Sequence, residues 1–148
     1  MAVRNYPAGV HFSGPIKLGA KSMVMSADPG GISAAKTLTA EESNGVHYIL
    51  DGGTGVGITL PEPTKGWSCK FTIGAVFSTD FVFTAGTADT FTGSALEAGV
   101  LQLITAADTI TLEDGTEVVG DFIEFWSDGV WTYVFAVTST AASITPAG

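Results

Sequence analysis

From Leu38 to Phe71 the sequence reads LTAEESNGVHYILDGGTGVGITLPEPTKGWSCKF, and this stretch decides the fold. Thr39, placed ahead of Glu41, Glu42 and Ser43, has the pattern of a short helical turn capped by a hydroxyl. Val46 to Leu50 is rich in β-branched and aromatic residues and predicts a strand. Asp51-Gly52-Gly53-Thr54-Gly55 supplies residues that tolerate positive φ, so the chain turns back, and Val56 to Leu60 reads as the returning partner of a hairpin. Pro61 and Pro63 end it, because proline has no N–H to give a sheet ladder. After Gly66-Trp67, the residues Cys69, Phe71 and Ile73 alternate with Lys70 and Thr72, as in a half-buried strand.

Downstream the same grammar continues. Phe81, Phe83 and Phe91 are spaced as strand residues around a turn at Ala85 to Asp89. Leu96, Val100 and Leu103 fall at i, i+4 and i+7, a spacing compatible with a helical turn that Gly99 weakens. Asp108 to Leu112 alternates as a strand and ends in a hairpin signal, Glu113-Asp114-Gly115. Val118 to Trp126 and Val130 to Val137 form the clearest hairpin, closed by Ser127-Asp128-Gly129. Phe122, Glu124 and Trp126 lie on one of its faces, Ile123 and Phe125 on the other. Apolar residues on both faces imply cover from both sides, by a second sheet and by a neighbouring subunit. The tail from Ser139 reads as peripheral.

Strands about 8 to 12 residues apart, separated by Gly, Asp and Pro, predict an all-β domain, an antiparallel β-sandwich or β-barrel-like body over residues 36–148. No βαβ alternation is present, which argues against a nucleotide-binding α/β sheet. The chain has 148 residues, 45% of them apolar, and is long enough to bury a core without staples. Cys69 is its one cysteine, so no intrachain disulfide can form and folding in a cytoplasm is the plain expectation. No apolar run approaches the length of a membrane span or a signal peptide.

Residues 1–35 read as an extended N-terminal arm. Pro7, Gly9, Gly14, Pro15, Gly19, Pro29, Gly30 and Gly31 break every regular pattern, while Tyr6, Val10, Phe12, Ile16 and Leu18 supply apolar contacts a mere linker does not need. Lys21 to Ser26 has the makings of one short strand. Charge separates arm from body. Residues 1–36 hold Arg4, Lys17, Lys21 and Lys36 against Asp28, plus three, whereas residues 37–148 hold Lys65 and Lys70 against 14 acids, minus twelve. Such a body repels nucleic acid and anionic membrane, so neither is an expected partner. The arm is expected to be held by an acidic partner, another subunit or a larger assembly, with Arg4, Tyr6, Val10, Phe12, Ile16, Lys17 and Lys21 as its contact residues; folding back on its own body is the competing reading.

The segment of the form L-T-A-x-(D/E)-S-x-G-x-x-Y-x-L-D, then a Gly-rich turn, then T-L-P-x-P-x-x-G-x-x-(F/Y)-x-F resembles one found in virion structural proteins of tailed bacteriophages, most of all small head decoration (cement) proteins. Leu38, Thr39, Ala40, Glu42, Ser43, Gly45, Tyr48, Leu50, Asp51, Thr59, Leu60, Pro61, Pro63, Gly66 and Phe71 carry it, about a quarter of the chain. The resemblance implies a structural protein, made in the host cytoplasm, that binds the major capsid protein on the outer capsid surface of the virion, stabilises the shell and associates with itself as a homotrimer. The alternative is a tail-fibre or spike-type binding module that recognises a host-surface glycan.

The search for chemistry points away from an enzyme. His11 and His47 have no sequence neighbours that would complete a metal pair or a charge relay, and read as an arm histidine and a strand histidine. Cys69 and Lys70 are adjacent, but strand alternation sends them to opposite faces, which leaves a buried, inert thiol. Glu113, Asp114, Glu117 and Asp121 offer oxygen ligands without the spacing of a calcium loop and read as a solvated turn. Gly52 to Gly55 lacks the Lys-Ser/Thr ending of a phosphate loop. No cofactor or metal is expected. Trp67, Trp126 and Trp131 are the candidates for stacking on sugars, with core or interface packing as the competing use of each.

Overall fold

The computed structural model describes residues 34–51, 54–86 and 89–148. The arm residues Arg4, Tyr6, Val10, Phe12, Ile16, Lys17 and Lys21, with His11 and the Lys21–Ser26 strand, lie outside them. The described residues form eleven strands and one helical turn: β1 (Lys36–Thr37), α1 (Ala40–Ser43), β2 (Val46–Leu50), β3 (Gly57–Thr59), β4 (Ser68–Ile73), β5 (Phe81–Thr84), β6 (Phe91–Glu97), β7 (Val100–Ala107), β8 (Thr109–Leu112), β9 (Phe122–Ser127), β10 (Thr132–Thr138) and β11 (Ile144–Ala147).

They form two sheets, ordered β1-β3-β5-β8-β11 and β2-β4-β9-β10-β6-β7. The all-β sandwich is therefore as read, but its sheets are mixed. From β1 to β5 the chain alternates between sheets, odd-numbered strands in one and even-numbered in the other. Two strands that enter the same sheet after a full circuit run in the same direction, so β1/β3, β3/β5 and β2/β4 are parallel pairs. The same holds where β6 meets β10.

This corrects the hairpin expected of Val46–Leu50 and Val56–Leu60. β3 bonds to β1 and β5 in one sheet, while β2 bonds to β4 in the other. Turn chemistry dictates reversal and leaves the hydrogen-bond partner open. The same correction applies after Leu112, where the chain crosses to β9 in the other sheet. The helical turn at Leu96–Leu103 is a hairpin between β6 and β7, reversed through Ala98 and Gly99, both at positive φ. The tail is not peripheral: Ile144 is buried and β11 pairs antiparallel with β8, with Pro146 tolerated because this strand is an edge. The β9–β10 hairpin forms as expected, Trp126 opposite Tyr133 and Phe122 opposite Val137.

The core lies between the sheets. Tyr48, Leu50, Cys69, Phe71, Ile73, Phe91, Ala95, Ile123, Phe125, Val134 and Ala136 face Ile58, Phe81, Phe83, Ile110, Leu112 and Ile144. Phe71 is central, its ring stacked on Tyr48 at 5.0 Å, tilted against Phe83 of the opposite sheet at 4.8 Å, and edge-on to Phe125 at 6.1 Å. The motif that carried the family resemblance is thus spent on the fold. The Thr39 side chain accepts the Glu42 N–H, Ser43 Oγ donates to the Thr39 carbonyl at 2.6 Å, and the Trp67 indole N–H donates to Ser43 Oγ at 2.9 Å. Trp67 is buried, which is the core packing weighed for it against stacking on a sugar, and its one polar atom is satisfied inside by the capping turn.

Two further features lock the register. Gly93 of β6 sits so close to β10 that a Cβ there would fall on the Val134 carbonyl oxygen. Buried Asp121, at the entrance to β9, accepts the N–H groups of Val118 and Ser139 and the Ser139 hydroxyl, tying the β8–β9 crossing to the end of β10. Phe71→Ala is expected to lower unfolding free energy by about 3–5 kcal/mol through the cavity it leaves, and Gly93→Ala by about 1–3 kcal/mol through overpacking. Denaturant unfolding of both variants checks these values.

Candidate functional site

One face of the six-stranded sheet is turned to the core and the other points away from it. Pairing registers place its side chains in lateral rows. One row crosses all six strands: Ile49, Thr72, Phe122, Val137, Leu96 and Leu101. Only Thr72 in it is polar. At about 4.8 Å between strands the row runs about 24 Å. The next row is His47, Lys70, Glu124, Phe135, Ser94 and Leu103, and a third runs Ser68, Trp126, Tyr133 and Thr92.

The face is polarised. On β10, β6 and β7 it is aliphatic and aromatic apart from Thr92 and Ser94, ending in an edge strand, β7, that has no charged residue and exposes Val100, Leu101 and Leu103 by 62 to 74%. On β2, β4 and β9 it is mixed. There an open groove of about 310 Å³ is lined by residues 45–47, 68–70 and 124–126. Lys70 Nζ sits 3.7 Å from the centre of the Phe122 ring, a cation–π contact, and Cys69 points the other way into the core. Opposite faces for Cys69 and Lys70 are what alternation required. Burial pushes the Cys69 thiol well above its ordinary value, so it stays protonated.

His47 Nε2 lies 2.7 Å from Thr72 Oγ1. Its pKa is lowered, first by burial and then by Lys70, so the ring is neutral at physiological pH. Glu117 and Asp121, two of the four acids weighed as calcium ligands, are committed elsewhere: Glu117 Oε1 accepts the Phe77 N–H and Asp121 makes the bonds described above. Among the described residues no group of three or more His, Cys, Asp or Glu is placed to hold a metal.

At the rim stands an aromatic platform. Trp126, 41% exposed, stacks on Tyr133 with centroids 5.9 Å apart and an interplanar angle of 23°. The Tyr133 hydroxyl donates to Asp128 Oδ2 at 2.9 Å, while Asp128 Oδ1 accepts the N–H groups of Val130 and Trp131. One carboxylate thus closes the hairpin tip and fixes the ring beneath Trp126. Of the three tryptophans weighed for stacking on sugars, Trp126 and Trp131 are at the surface. Sequence reading gave Lys70, Glu124, Tyr133 and Asp128 no role in a site. The alternation in β9 signalled that Glu124 and Trp126 share a face, but their cross-strand neighbours are set by pairing alone. No protein-family model, characterised protein or solved structure matches the chain.

The Trp131 and Val130 N–H groups, with the Tyr133 hydroxyl, hold the Asp128 carboxyl below its ordinary value. Its contribution is complete above the ordinary aspartate pKa of about 3.9 and is lost as pH falls through the depressed folded value. The near-UV circular dichroism of the tryptophans is therefore expected to hold steady from neutral pH down to about 4 and to decline below it, with Asp128→Ala showing the weakened signal already at neutral pH.

Proposed function

We propose that this chain is a structural protein of a phage virion, a head decoration protein that binds the outer capsid surface and stabilises the shell. The observation that carries the reading is the apolar row across the outer face of the six-stranded sheet, which ends on the uncharged, exposed strand β7. An exposed patch of this kind on a body otherwise rich in acids favours association at that place alone. The resemblance of Leu38–Phe71 to segments of such proteins supplies the context. In this reading the aliphatic end of the face joins copies of the chain into a homotrimer, and the basic arm, with Arg4, Lys17 and Lys21, engages the major capsid protein. Three arms on one particle convert modest individual contacts into firm attachment through effective concentration.

Two experiments test it. Leu101→Glu with Leu103→Glu places charge on two exposed positions and leaves the core untouched; sedimentation is expected to show trimers for the parent chain and monomers for the variant, and a monomeric parent would remove self-association from the reading. Deletion of residues 1–20 is expected to leave a folded domain that no longer co-sediments with expanded capsids. Equal binding by the truncated protein would transfer the capsid contact to the β-domain.

A further inference from the structure

We infer that the corner groove between β2, β4 and β9 is a binding site for a neutral saccharide, with Trp126 as the stacking surface and Glu124 and Lys70 as the hydroxyl-recognising pair. Three observations converge on it. The indole of Trp126 is exposed yet held, through its stack on Tyr133 and the bond from Tyr133 to Asp128. A fixed aromatic plane meets the apolar C–H face of a sugar ring without the entropy loss of ordering a loose side chain.

Glu124 and Lys70 face each other in register on adjacent strands, both half-buried, and yet form no ion pair. Lys70 lies instead over Phe122, and the Glu124 carboxylate has no hydrogen-bond partner among the described residues. Both residues line the open groove together with Trp126, Glu124 with a carboxylate that accepts and Lys70 with an ammonium that lies over the Phe122 ring. Two oxygens that accept and an ammonium that donates suit vicinal hydroxyl groups, each of which both gives and takes hydrogen bonds. The two charges cancel locally, which selects an uncharged ligand in spite of the acidic body. The groove holds about 310 Å³, the low end of the range for small-ligand sites.

The site occupies the opposite end of the face from Leu101 and Leu103, so it stands independently of the shell assignment and of the self-association test. The full chain is titrated with maltotriose, cellotriose and tri-N-acetylchitotriose, following tryptophan emission, with choline as a cationic comparison. At least one trisaccharide is expected to shift the emission saturably. Trp126→Ala and the isosteric Glu124→Gln are each expected to weaken that binding about tenfold, while Trp131→Ala, at the hairpin tip outside the groove, retains it. Absence of a response to all three sugars, undiminished binding by both groove variants, or a stronger response to choline would each overturn the assignment.

Discussion

Everything in this molecule depends on the contact between Phe71 and Phe83 across the two sheets. Neither sheet is stable alone, since each has one apolar face that must be covered. Phe71 supplies that cover at the centre, against Phe83 in front and Tyr48 and Phe125 beside it. Dispersion contacts of this kind are individually small and collectively decisive. The capping turn at Thr39, the Trp67–Ser43 bond and the crossings between sheets all serve to bring strands to this place.

The winding of the chain explains why the outer face has the character it has. Strands that alternate between sheets form few local hairpins, so the six-stranded sheet is assembled from segments far apart in sequence. Its outer rows join two local hairpins, β9–β10 and β6–β7, to each other and to β2 and β4, strands distant in sequence. The apolar row and the groove beside it are products of register. A shift of one residue in β9 would send Phe122, Glu124 and Trp126 to the core and Ile123 and Phe125 to solvent. Gly93, pressed against Val134, and Asp121, bonded to Ser139, oppose such shifts.

Asp128 shows how the fold turns a common turn residue into part of a surface. Ser127-Asp128-Gly129 is legible as a turn, because aspartate bonds the backbone just beyond it. The second oxygen of the carboxylate reaches Tyr133, which ties turn geometry to the aromatic platform. That link requires Tyr133 to lie opposite Trp126, a fact of pairing between β9 and β10.

The sequence by itself determined the strand class of the chain, the capped turn at Thr39, the inward set Cys69, Phe71 and Ile73, the β9–β10 hairpin and the separation of Cys69 from Lys70. These are local matters, set by the period-two alternation of a strand and the conformational preferences of single residues. Tertiary structure alone decided that β2 and β3 belong to different sheets, that the sheets are mixed, that the tail is a strand and that Trp67 is buried. It also placed Glu124, Lys70 and Trp126 around one groove. The physical reason is that a strand's backbone hydrogen bonds are made with another strand, whose identity no local pattern encodes, whereas its two faces are already defined by the residues it carries.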